Sequence, residues 1–193
     1  MKKLLVIATL MVLPVFLSAS QYVGISAGTN NAILTNRSDS GLQVGIQMGA
    51  KFGFDFDSGL RSEFELSYRK QSFKTAYHMS EKDVVDSKEH NSIYSLAYMT
   101  NVLYDVNQLT TYSITPYVGL GVGYCQTTER NKIQYDNITQ EDKLKDNRFA
   151  YQAIVGAKYP VLDKTTLGLE YKYFVGRSHQ KDHTCSVELI RNF

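Results

Sequence analysis

Leu167-Gly168-Leu169-Glu170-Tyr171-Lys172-Tyr173-Phe174-Val175 alternates with a period of two. In an extended strand, Leu167, Leu169, Tyr171, Tyr173 and Val175 share one side, and Gly168, Glu170 and Lys172 share the other. A soluble barrel would turn the bulky apolar side inward to fill its core. A membrane barrel turns it toward lipid and lines a narrow bore with small and charged residues. Aromatic placement favours the second arrangement. Tyr104, Tyr112, Tyr159 and Phe193 would lie near one rim, and Tyr68, Tyr94, Tyr124 and Phe149 near the other, as two girdles at headgroup level.

Seven further segments repeat the alternation: residues 22–28, 41–54, 60–71, 92–106, 112–127, 149–159 and 186–193. Their connections run alternately long and short. Residues 29–40, 72–91 and 128–147 are long; residues 55–59, 107–111 and 163–164 are short; residues 177–182 are intermediate. Short turns on one side and long loops on the other are the habit of barrels whose ends face periplasm and exterior. The expectation is an all-β fold, an eight-stranded antiparallel up-and-down transmembrane β-barrel. Pro116 has no amide to donate, so a bulge or frayed end is expected there.

The first twenty residues read differently. Lys2 and Lys3, the apolar run from Leu4 to Leu17, and Ser18-Ala19-Ser20 have the order of an export signal, leaving residues 21–193 as one barrel domain. The apolar run is too short to cross a bilayer as a helix, and no later run approaches the required length. Removing Lys2 and Lys3 balances the 21 basic residues against the 19 acidic ones. That balance, without a clustered cationic face, excludes a nucleic-acid partner. Cys125 and Cys185 fall on opposite faces of non-adjacent strands and are expected as two unpaired thiols.

Three segments carry a resemblance: PYVGLGVGY at 116–124, FAYQAIVGAKY at 149–159 and LGLEYKYF at 167–174. They resemble the small opacity-type porin and surface-antigen family of the bacterial outer membrane, whose barrel is similar to the transmembrane domain of outer-membrane protein A. The resemblance implies an eight-stranded barrel with external loops that engage host surfaces in some members. It also implies that Phe193 acts as a C-terminal signal for the barrel-insertion machinery, although Arg191 replaces the aromatic often found two residues before the end. Outer-membrane lipid and lipopolysaccharide are the expected surroundings.

Residues with the bore-facing parity form the candidate site. Lys51, Arg61, Arg69, Arg148, Lys158 and Lys172 are opposed by Glu63, Glu65, Asp105, Glu170 and Glu188. Glu65, Arg69, Lys158, Glu170, Lys172 and Glu188 are singled out as a charge network that acts as a salt-bridged plug or, alternatively, as a gated ion path. A lipid-modifying enzyme is the less favoured reading. His183, Ser186 and Glu188 offer the residue types of a triad, but His183 lies opposite Ser186 by parity. His78, His90 and His179 fall in loops or at strand ends, with no metal-binding pattern and no cofactor motif. Residues 72–91 and 128–147 carry mixed charge and are the expected contact loops for a host or cell-surface ligand.

Overall fold

A computed structural model describes residues 19–34, 43–56, 58–75, 89–135, 138–177 and 180–193. Residues 1–18 of the export segment and residues 76–88 lie outside them. The strands are β1 (Ser20–Leu34), β2 (Gln43–Phe56), β3 (Leu60–Thr75), β4 (Glu89–Asp105), β5 (Thr115–Tyr135), β6 (Ile138–Leu162), β7 (Thr165–Arg177) and β8 (Gln180–Asn192). Each pairs antiparallel with the next, and β8 returns to β1, so the sheet closes. Closure removes free edges within the wall, which a chain crossing hydrocarbon requires.

Register sets the pitch. Following partners once around from Tyr22 leads through Gly53, Glu63, Asn101, Gly121, Gln152, Phe174 and Asp182 to Ala32, ten residues further along β1. Such a shear tilts the strands by roughly 40–45° and leaves a bore that side chains can fill.

The two faces are inverted relative to a soluble protein. Leu66, Val122 and Leu169 are 44%, 53% and 64% exposed, whereas Glu65, Glu170 and Lys172 are 3%, 1% and 0% exposed. The outward face is therefore the apolar one, as lipid demands.

Inside, bulk on one strand meets glycine on the next. Tyr22 pairs with Gly53, Tyr117 with Gly156, Leu103 with Gly119 and Glu188 with Gly168. A methyl group on Gly53 would come within 2.2 Å of the Tyr22 ring, and one on Gly168 within 2.4 Å of Glu188. Glycine here supplies space, so large side chains can lie across a narrow bore. The bore is also less polar than alternation suggested. Ala97, Met99, Cys125, Ala150 and Phe174 pack together, and Leu103, Tyr117 and Ile154 form a second apolar cluster.

Several expectations need correction. The strands run further outward than expected: β3 runs to Thr75, β4 starts at Glu89, and β5 and β6 stay paired from Thr115↔Lys158 to Tyr135↔Ile138. Residues 128–135 and 138–147 are thus hairpin arms, as are 72–75 and 89–91 at the two ends of the other segment. At the opposite end, the connection after β4 is longer than expected, with a 3-10 turn over Asn107–Leu109 and a tight turn in which Tyr112 and Ser113 have positive φ. Tyr112 belongs to that turn and not to a strand. Pro116 is the second residue of β5, paired with Ala157 without a bulge; its missing amide falls at a strand end. Register shifts occur instead at Pro160/Leu162 and Val175/Arg177.

The hairpins also differ in reach. β6 pairs with β7 only as far as Tyr151↔Val175, and β7 with β8 up to Arg177↔Gln180. The β5–β6 hairpin continues past this rim by roughly 20 Å along the axis, given the rise per residue and strand tilt.

Candidate functional site

A buried ionic layer crosses the middle of the bore. Lys51 Nζ donates to Glu170 Oε1 at 2.9 Å and to Glu188 Oε2 at 2.5 Å, and lies 3.8 Å from Glu63 Oε2. The Tyr117 hydroxyl donates to Glu188 Oε1 at 2.7 Å. Lys172 Nζ bridges Glu65 at 2.5 Å and Glu170 at 2.9 Å. Amides complete the Glu65 carboxylate: Asn101 Nδ2 at 2.9 Å and Gln152 Nε2 at 3.0 Å both donate to Oε2. These side chains come from β2, β3, β4, β5, β6, β7 and β8, so the layer ties almost the whole circumference.

Toward the chain termini the network continues. Tyr22 donates to Glu63 Oε1 at 2.8 Å, and Arg61 donates through Nε to Asp105 Oδ1 at 3.0 Å. Lys158 also bonds Asp105, and the Arg61 guanidinium lies 4.7 Å from the centre of the Tyr117 ring. Charged groups this deeply buried are tolerable only when paired and hydrogen-bonded, which this arrangement provides.

Above the layer the arrangement changes. Arg69 is 1% exposed, donates to Ser67 at 3.1 Å and lies 3.8 Å over the Phe174 ring. Its Nε and Nη2 have no hydrogen-bond partner, and the same holds for Thr184 Oγ1, Ser186 Oγ and Gln47 Oε1 nearby. Gln71 donates to Asp182 at 3.3 Å near the outer mouth.

Of the charge set singled out from sequence, Glu65, Glu170, Lys172 and Glu188 meet in the central layer. Lys158 joins it through Asp105 and Arg61. Arg69 stands apart, without an ion pair to a described residue. Arg148 does not belong inside: it is exposed and pairs with Asp146 at 2.8 Å beyond the wall. Lys51, already among the bore-facing cations but left out of the network, is its central member, and Tyr22 and Tyr117 are partners that charge did not point to. Their signal was inward parity opposite a glycine, since Lys51 pairs with Gly24 and the tyrosines with Gly53 and Gly156.

The remaining candidates separate. His183 faces outward and shares a 2.5 Å hydrogen bond with Tyr171, while Ser186 and Glu188 face the bore. His78 and His179 lie outside the described residues. Cys125 is buried in the bore and Cys185 exposed on the outer wall, both free. Among the described residues no group of three His, Cys, Asp or Glu side chains could hold a metal ion. Phe193 is 69% exposed, and its amide donates to Gln21 O at 3.0 Å. Arg191 turns back along the wall, donating to Thr165 Oγ1 at 2.9 Å.

A family profile described as outer membrane protein beta-barrel domain matches residues 4–193. The outer membrane protein PagN of Salmonella typhimurium is 28% identical over 74% of this chain and 61% of its own length. An outer membrane protein of Gluconacetobacter diazotrophicus is 30% identical over 80% of this chain and 42% of its own. The chain therefore spans about three fifths and about two fifths of these two relatives. Among solved structures, Neisserial surface protein A superposes with a TM-score of 0.57 at 16% identity, over 90% of this chain and 97% of that one. The attachment invasion locus protein of Yersinia pestis superposes with a TM-score of 0.58 at 13% identity, over 91% and 99%. At these identities the two structures speak to the fold.

Proposed function

The chain belongs to the outer membrane protein beta-barrel domain family of the bacterial outer membrane, and from that premise we propose a non-enzymatic surface protein, structural or adhesive, that meets its partners at the outer ends of β3–β6. One contrast supports this reading. The Lys51, Glu170 and Lys172 side chains at the middle of the bore are wholly buried, while the β5–β6 hairpin, flanked by β4 as far as Lys132, extends well past the end of β7. A bore filled by paired charges offers little to a solute, and protruding elements on a rigid scaffold are suited to contact.

Thr127 and Asp146 are ladder partners. Excising residues 128–145 and joining these two by a two-residue turn should leave a folded, heat-modifiable barrel. Binding of expressing bacteria to epithelial cells should fall to background. Full binding by the shortened protein would reject the assignment. The competing reading, a small ion channel, is addressed by planar-bilayer recording. No stepwise current is expected, and steps altered by Glu65→Gln would favour the channel.

A further inference from the structure

The lipid-facing wall is not evenly ridged. Across β2, β3 and β4 it holds a groove of about 410 Å³ lined by Ala50, Phe52, Phe64, Leu66, Tyr98 and Thr100. Its depth follows from register. Phe64 pairs with Phe52 and Thr100, and Leu66 with Ala50 and Tyr98, so the two small residues sit diagonally across β3. Phe52 and Tyr98 then rise at opposite corners.

Further along the outward face of β3, toward the outer rim, come Tyr68 and Lys70. The Tyr68 and Tyr94 rings are 6.4 Å apart, and Lys70 Nζ lies 5.6 Å over the Tyr94 ring. Four residues separate Lys70 from Leu66, about 13 Å along the strand. An apolar slot, an aromatic pair and a cation thus follow one another from hydrocarbon to headgroup depth. On the other side of the groove, Phe54, Leu60, Ser62, Val102 and Tyr104 share the outward parity and carry no charge. Among the described outward-facing residues around the groove the cation lies at the outer end, which selects a lipid of the outer leaflet over one of the inner.

We propose that this groove seats one acyl chain of the phosphorylated, acylated sugar lipid of the outer leaflet, with Lys70 set against its phosphate. Charge complementarity and the slot below act on the same molecule, so both should contribute to retention. The site is separate from the contact hairpins and does not depend on the adhesive reading.

The test uses the full folded protein in detergent micelles and native mass spectrometry. The titrants are purified bisphosphorylated hexa-acyl lipid A and, separately, phosphatidylglycerol. The wild type should retain a single lipid A and bind phosphatidylglycerol at least tenfold more weakly. Filling the slot with Ala50→Leu and Thr100→Leu should weaken lipid A at least tenfold. Lys70→Gln should weaken it about fivefold, the effect of one cation near an anionic headgroup. Leu169→Phe, on the far wall, should change nothing. Heat-modifiable mobility checks folding; if the filled variant does not fold, Lys70→Gln decides alone, because its side chain lies outside the packed bore. Unchanged binding by the folded variants, or equal affinity for phosphatidylglycerol, would overturn the proposal.

Discussion

Two levels of the same bore bury a cation in opposite ways. At the centre, Lys51 has three carboxylates within 4 Å, from Glu63, Glu170 and Glu188. One level up, Arg69 is just as buried but has a single hydrogen bond, to Ser67, and the face of Phe174. Burial alone therefore does not identify a structural charge. What distinguishes the two is whether neighbouring strands deliver carboxylates at the same height.

Removing the central cation should have the largest effect. Lys51→Met leaves three acidic groups facing each other without their shared partner and should cost about 3–5 kcal/mol, read from denaturant unfolding in lipid vesicles. A loss below 1 kcal/mol would mean that Lys172 and Arg61 already neutralise the layer. On the apolar side of the bore, Leu103→Ala should cost about 2–3 kcal/mol through the cavity it leaves. Gly119 gives a sharper form of that test, because its added methyl would lie 2.3 Å from Leu103 Cδ2. Gly119→Ala should destabilise the wild type and cost less beside Leu103→Ala, with a remaining cost from the Val102 carbonyl 2.9 Å from the added methyl, a coupling that a double-mutant cycle measures. The smallest effect is expected at Arg69. Arg69→Met removes two unsatisfied donors along with the cation–π contact, so stability should stay within about 1 kcal/mol of wild type. A loss as large as that of Lys51→Met would show that Arg69 has a counter-charge at its own level.

The faces of the wall were legible because pleating is local. Glu65 and Leu66 are adjacent in sequence and opposite in environment, and no distant residue had to be known to say so. The inward position of Glu65, Glu170, Lys172 and Glu188 followed from the same alternation. Arg148 shows where this rule stops: its parity is inward, but its height is above the wall, and parity carries no information about height. The hairpin arms at 128–135 and 138–147 look like loop in the sequence because their mixed charge lacks alternation. There the strands continue by pairing with each other, beyond the depth at which a lipid face would impose a pattern.

Alternation by itself established the strands and their sidedness, since both are decided within a hairpin; closure joins β1 to β8, at opposite ends of the chain. The meeting of Lys51 with Glu170 and Glu188, 119 and 137 residues away, was decided only by the closed sheet. Which inward groups share a level depends on the register of every hairpin and on the ten-residue climb around the barrel. A shift in any one ladder would give Lys51 different neighbours while leaving the sequence pattern intact.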